Sequence, residues 1–275
     1  MNFDKTLNSF AYYLKTEEKS RATAEKYVRD VRAFLIFLGK NELNKEQTLL
    51  YKEHLVKSYA PASVNSMLGA LNSFLSFIGR ADCRVRQLKI QHQIFAREDK
   101  ELTEKEYARL LKTAEGTRIS LVIQTICITG IRVSELSYIT AEAVRAGKAV
   151  VNCKNKTRVI FIPVQIQKLL KEYMKRSGIT AGEVFVTKGG KVLDRSNIWK
   201  EMKALCKKAG VSDKKVFPHN LRHLFARTFY RIEKDIVRLA DLLGHSSLST
   251  TRIYTMDCGS SHLRSMERVC LRLTT

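Results

Sequence analysis

Apolar residues recur at helical spacing through two long blocks of this chain, and the recurrence fails once, over residues 81–100. Before the break, Leu7, Phe10, Ala11 and Leu14 mark one stripe, and Tyr27, Val31, Phe34, Leu35 and Leu38 mark another. Steps of three and four put each set on one helix face, which leaves water only by packing against a second helix. Ser20 or Thr23 opens the second helix and Gly39 closes it. A third helix is predicted over about 47–58, and a fourth from Pro61 through Val64, Met67, Leu68, Leu71, Leu75 and Ile78 to Gly79. Four such helices with short connections make a small bundle.

The break, ADCRVRQLKIQHQIFAREDK, carries five Lys and Arg and no clean period. It reads as a basic linker, giving a helical domain over 1–85, a linker over 86–100 and a second domain over 101–275. Helical spacing resumes at Thr103, which can form a capping box with Glu106. Helices over 103–114 and 118–129 and a short one over 132–139 follow. Val150 and Val151, then Val159–Ile162, flank the polar run Cys153–Arg158 and read as a β-hairpin. Pro163 opens a helix through 176. A short strand near 183–186 and helices over 195–208, 219–230, 234–243 and 261–271 complete the chain. The predicted class is mainly α, with a four-helix N-terminal domain and an α+β second domain holding a small hairpin.

Charge narrows the partners. Lys and Arg number 49 against 27 Asp and Glu, a net of +22, of which +18 falls after residue 85. Such an excess points to a polyanion, nucleic acid first and an acidic membrane surface second. No run approaches the roughly 18 apolar residues of a membrane span. The six cysteines (Cys83, Cys127, Cys153, Cys206, Cys258 and Cys270) form no CxxC pair. Disulfide frameworks and zinc knuckles need closer pairing, so a reduced, cytoplasmic setting is expected.

Five short segments interrupt apolar surroundings with polar residues: Thr129–Leu136, the hairpin turn, Pro218–His223, Leu243–Ser246 and Ile253–Thr255. A helix opening after Gly130 would join Arg132 to free backbone N–H groups as an anion site. His219 and Arg222, three apart, share a helix face. Two Arg, a Lys, two His and a Tyr without a carboxylate cluster suit attack on a phosphodiester. Guanidinium groups match its nonbridging oxygens, and a phenol of pKa ~10 needs a basic or cationic neighbour to attack at neutral pH. A Lys on the turn can protonate a departing alkoxide. Taken singly, each residue has an ordinary structural reading: Arg132 paired with Glu135, His223 packed behind Arg222, Tyr254 in the core. An H-x3-H pair, His219 and His223, also matches a zinc spacing, with no third ligand in view.

Together the boxes TGIRVSEL, PHNLRH, LGHSS and IYT resemble, in order and spacing, the tyrosine recombinase (phage integrase) family, above all its compact Xer-type members. The resemblance covers about residues 103–260, and the N-terminal helices resemble that family's SAM-like core-binding domain. It implies Tyr254 as nucleophile, Arg132 and Arg222 as phosphate clamp, His219 as proton acceptor or phosphate ligand, and His245 as a further donor. Glu135 matches the acidic position that orients the cradle. The lysine is Lys154, with Lys156 as the alternative, because the turn lacks the family's usual GKGxK form. A type IB topoisomerase-like relaxation activity or an inactive DNA-binding relative are the alternatives.

The family further implies site-specific recombination of duplex DNA with paired sites by a homo- or hetero-tetramer, without metal, ATP or other cofactor. The helix over 261–271, with its stripe of Leu263, Met266, Val269 and Cys270, is the expected tail that docks on a neighbouring subunit. Arg21, Lys26 and Arg29 near the start of the second helix, and Arg195, Ser196 and Asn197 opening a later one, are the candidate DNA contacts.

Overall fold

The computed structural model describes residues 3–90, 100–153, 156–187 and 189–254, the side chains of Phe3, Cys153 and Lys156 excepted. The chain divides into two compact units, Met1–His92 and Gln93–Thr275, the division falling within the basic segment. Lys154, the residues of that segment from 91 to 99 and the helix expected over 261–271 lie outside the described residues.

Among its described residues the first unit holds four α-helices, α1 (Phe3–Thr16), α2 (Arg21–Leu38), α3 (Lys45–Ser58) and α4 (Pro61–Phe77), and a 3-10 turn, Ala81–Cys83. Their starts follow capping chemistry: the Ser20 and Asn44 side chains accept the N–H of Thr23 and Gln47, and Pro61 takes the first helical turn, where a missing N–H costs nothing. The core is the two predicted stripes closed by α4, with Phe10, Phe34 and Phe74 fully buried and Phe10 edge-on to Phe74 at 5.3 Å. The chain leaving α4 is strapped back onto it. The Asn72 amide donates to the Val85 carbonyl and accepts its N–H (2.8 and 2.9 Å), and Asn65 does the same for Leu88 (2.9 and 2.7 Å). Residues 86–88 of the basic segment are therefore fixed along this helix.

In the second unit α5 (Glu104–Thr113) opens with the predicted Thr103–Glu106 capping box. Next, α6 (Arg118–Thr129) buries Leu121, Val122, Ile123 and Ile126 at the centre of the unit. The short helix expected over 132–139 is a tighter 3-10 segment, Val133–Tyr138. It leads to α7 (Ala141–Ala146), a helix that the apolar spacing did not reveal. The hairpin is β1 (Lys148–Cys153) against β2 (Lys156–Phe161), antiparallel, with Val150 opposite Val159. Lys156, Thr157 and Arg158 are thus strand residues, and the turn is shorter than the expected run 153–158. After Pro163 comes α8 (Val164–Ser177). The strand expected near 183–186 is reduced to isolated bridges, Thr140 with Glu183 and Val186 with Val192. Then follow α9 (Arg195–Ala209), α10 (Pro218–Glu233), α11 (Ile236–Leu243), α12 (Leu248–Thr251) and a 3-10 turn, Arg252–Tyr254. Among the described residues no helix is long and apolar enough to cross a membrane.

Candidate active site

Pro218 starts α10, so His219, Arg222 and His223 fall in its first two turns, on neighbouring faces. Arg222 is the anchor. It is 2% exposed, and among the described residues no carboxylate pairs with it. Its guanidinium donates instead to the Gly130 carbonyl, to the Leu243 carbonyl at 2.6 Å and to His245 Nε2 at 3.2 Å. Both carbonyls sit at helix C-termini, those of α6 and α11, where orphan acceptors and the negative end of the helix dipole favour a cation. Burial, then the charges of Arg132 and Arg158, push its pKa down to about 10, so it stays charged at neutral pH.

The second arm is a chain of charges. Arg132, with a 40% exposed side chain, donates to Glu135 Oε1 at 2.9 Å. Glu135 Oε2 accepts the Arg132 backbone N–H at 2.9 Å and Arg158 Nη2 at 2.5 Å. Burial alone would raise the Glu135 pKa, but that backbone bond and the two guanidinium groups outweigh it and hold the carboxylate below its ordinary value. The anion site expected from free N–H groups after Gly130 is therefore not formed that way: Glu135 takes the Arg132 N–H, and the segment is a short 3-10 turn. Arg132 keeps its solvent-facing charge while paired. Arg132, Glu135, Arg158, Gly244, His245 and Ser246 line one cleft of about 630 Å³.

Gly244 lines the same cleft. It caps α11 with φ +64°, and a Cβ would lie 2.5 Å from Arg158 Cδ. Gly244→Ala therefore combines left-handed strain with overpacking, a loss of about 2–4 kcal/mol. Gly178→Ala, at φ +67° with nothing within 4 Å, carries the strain alone. Urea unfolding of both variants measures the difference, and equal losses would show that Arg158 yields freely.

Tyr254 lies 3% exposed between two histidines, edge-on to His223 at 4.7 Å and stacked on His245 at 5.9 Å. It lines a second cleft, about 740 Å³, with Leu102–Lys105 and the flank of α10. His223, read from sequence as packed behind Arg222, also joins His219 (4.6 Å) to Tyr254. Because a guanidinium only donates, His245 Nε2 is the acceptor, and its Nδ1–H donates to buried Thr251 Oγ1 at 2.9 Å. Desolvation, then Arg222 and Arg132, push His245 down to about 4. His223 is lowered to about 4 by burial, then by His219 and Arg222. His219 reaches solvent, yet partial desolvation, then Arg222, Arg132 and Arg195, also lower it.

These shifts fix a pH dependence. His223 and His245 are neutral when folded at pH 7 and titrate near 6.5 when unfolded. Stability is then complete above about pH 6.5 and is lost as pH falls toward 4, by an upper bound of about 3 kcal/mol per histidine. Thermal melts from pH 7.5 to 4.5 should show the fall, and the His223→Leu, His245→Gln double variant should flatten it. An unchanged slope in that variant would assign the effect to other groups.

The structure thus brings together Arg132, Glu135, His219, Arg222, His245 and Tyr254. Arg195, exposed at the start of α9, contributes to the field on His219, while Ser196 and Asn197 follow it in the first turn, with the Asn197 N–H bonded to Asp194. In the first unit Arg21 pairs with Glu25 at 2.8 Å, and Lys26 and Arg29 both meet Asp30, which is 7% exposed. Among the described residues no group of three His, Cys, Asp or Glu is placed to hold a metal. Sequence reasoning missed Arg158 and Thr251. Arg158 had a signal: it alternates with Ile160 and Ile162, both buried, so an arginine there faces inward and needs a carboxylate.

Residues 100–258 match the phage integrase family, and residues 7–82 match the phage integrase N-terminal SAM-like domain. Tyrosine recombinase XerA of Pyrococcus furiosus is 31% identical over 96% of this chain and 94% of its own length. Tyrosine recombinase XerD of Halalkalibacterium halodurans is 29% identical over 90% of this chain and 92% of its own. The crystal structure of a XerA recombinase aligns over 98% of this chain and 99% of its own, at 28% identity and a TM-score of 0.54. A lambda integrase fragment, solved as a dimer bound to a core site, shares the fold at 18% identity, with a TM-score of 0.73 over 93% of this chain and 96% of its own. With both segments matched and the likeness running nearly end to end, the chain belongs to the phage integrase family, as a Xer-like tyrosine recombinase.

Proposed function

We propose that this recombinase cuts and rejoins duplex DNA through a 3′-phosphotyrosyl link to Tyr254. The observation that carries the reading is Arg222, a buried guanidinium held by two carbonyls and a neutral imidazole. A cation desolvated without a carboxylate leaves its charge for an incoming anion, and of its five N–H groups two remain beyond those bonds. Arg132, at the cleft mouth, supplies the second guanidinium, and the two clamp the nonbridging oxygens bidentately.

Tyr254 Oη attacks phosphorus, the P–O5′ bond breaks, and its electron pair leaves on O5′. His219, kept neutral near pH 7 by its lowered pKa, accepts the phenolic proton, and Lys154 or Lys156 protonates O5′. His245 donates to the phosphate after gaining a proton on Nε2, which the phosphate charge favours. Tyr254 is buried and lines the other cleft, so its turn must shift toward the phosphate before attack. The 5′-hydroxyl of a partner duplex then attacks the phosphotyrosine; bond energy is conserved and no ATP is consumed. The cationic cradle stabilises the transition state electrostatically, in place of a metal. The lambda integrase dimer on a core site supports a duplex partner, and paired exchange calls for four subunits on two sites. The excess of cations over both units suits phosphate contacts on such a duplex, Arg21, Lys26, Arg29, Arg195 and Asn197 among the candidates.

Nicked fragments of the genome that encodes the chain test this. In EDTA the protein should form a detergent-resistant adduct whose released strand ends in a 5′-hydroxyl, and sequencing the adducts recovers the site. Plasmids carrying two such sites should recombine. Relaxation of plasmids lacking them, without recombination, would favour the topoisomerase reading.

A further inference from the structure

Two threonines stand side by side at the end of α12, and they differ in burial: Thr250 is exposed, whereas Thr251 is 0% exposed. Among the described residues the Thr251 hydroxyl has one polar partner, His245 Nδ1 at 2.9 Å. Packing alone would be served by a valine, which has the same shape and no hydroxyl to desolvate. The bond therefore points to a task at His245. Arg222 already donates to Nε2, at 3.2 Å, but an imidazole tied at one nitrogen can still turn about that tie. A second tie, at Nδ1, fixes the ring plane. It also fixes the proton: with Nδ1–H given to Thr251, Nε2 is the nitrogen left to gain or lose one. A hydroxyl accepts from Nδ1–H whether the ring is neutral or charged, so the ring need not move when it is protonated. His245 shares its cleft with Arg132, the exposed arm of the clamp.

We propose that Thr251 is a positioning residue that holds the His245 ring so that Nε2 alone serves the phosphate, as an acceptor before it binds and as a donor afterwards. The inference rests on the phosphotyrosyl reading above. Thr251 also ends α12, and the turn Arg252–Tyr254 follows at once, so it has two routes to the reaction: the His245 ring and the base of the nucleophile's turn. Its effect runs through the ring, because the ring is what its hydroxyl touches. Loss of that hydroxyl should therefore free the imidazole and slow the reaction only where His245 is present.

Thr251→Val keeps the shape and removes the acceptor, Thr251→Ser keeps the acceptor, and Thr251→Ala replaces the valine variant should that one fail to fold. Thermal melting checks each. Nitrogen NMR of isotope-labelled histidine reads the rings without DNA, and the signals lost in His245→Leu are those of His245. At about pH 7.5, where this ring is neutral, the wild-type chain and Thr251→Ser should carry the proton on Nδ1 alone. Thr251→Val should show the Nε2–H form as well, once the ring can turn away from Arg222. On a recovered site, single-turnover adduct formation should slow about 10-fold in Thr251→Val and less than about 3-fold in Thr251→Ser. On a His245→Leu background Thr251→Val should cost less than about 2-fold more, because the group it acts through is gone. An unchanged tautomer or an unchanged rate in a folded Thr251→Val or Thr251→Ala overturns the proposal. So does a rate loss repeated in full on the His245→Leu background, which would place the effect in the Tyr254 turn or in the fold. If the wild-type chain forms no adduct, the phosphotyrosyl reading itself has failed, and the tautomer alone then decides whether Thr251 holds the ring.

Discussion

Tyr254→Phe should bind its DNA site with unchanged affinity and form no covalent adduct on a nicked duplex. The substitution removes one oxygen and leaves the ring that His223 and His245 pack against, at 4.7 and 5.9 Å. Stability should therefore change by less than about 1 kcal/mol, since the buried aromatic area is retained. Binding depends on the cations, none of which is touched, so the salt dependence should also persist. Cleavage, in contrast, has lost its nucleophile, and the adduct should drop at least ~10³-fold, to the assay background. Tyr254→Ala would be a poorer experiment, because emptying the space between the two imidazoles disturbs Thr251 and Arg222 through His245. The chain has ten tyrosines. An adduct of undiminished yield from Tyr254→Phe would move the chemistry to another of them and rule out Tyr254 as the nucleophile.

Much of this is legible in the sequence, and the exceptions share a cause. Helical stripes such as Leu7, Phe10 and Leu14 are visible because a buried face imposes a period on the sequence, and capping pairs such as Thr103 with Glu106 mark where it starts. The four boxes carry the residues that are proposed to meet a phosphate. What stays hidden are polar contacts made across the chain. Asn65 and Asn72 lie seven apart on α4 and belong to no apolar stripe, yet both grip the backbone of the chain that follows. Arg158 reads as a turn cation until β2 is seen to begin at Lys156, which moves it inward beside Ile160. The helix expected after Gly130 tightens to a 3-10 segment where Glu135 bonds back to Arg132. Periodicity reports burial of apolar atoms; it carries no record of which carbonyl a buried guanidinium has found.

Arg222→Lys is the more demanding case, because it keeps the charge and discards the geometry. In the native chain the planar fork reaches the Gly130 and Leu243 carbonyls and His245 Nε2 at once, from a position 2% exposed. A lysine ammonium is a compact point donor with three hydrogens, and it cannot reach two helix ends and His245 while keeping further N–H groups free. At least one of the carbonyls is left unsatisfied, which should cost about 1–3 kcal/mol of stability. His245 loses the donor that fixes its acceptor nitrogen, so its hold on Thr251 should loosen as well. The number of cations near the DNA is the same, and overall affinity and its salt slope should stay within a few-fold of the native values. The rate of adduct formation should fall about 10²- to 10³-fold, the scale seen when one preorganised donor to a developing oxyanion is removed. Arg132→Lys, at a half-exposed position whose carboxylate partner a lysine can still meet, should lose rate with little loss of stability. Single-turnover cleavage and urea unfolding of the two variants separate charge from geometry. If Arg222→Lys cleaves at a near-native rate, positive charge alone suffices at this position, and the anchoring of the fork by two helix termini serves the fold rather than the reaction.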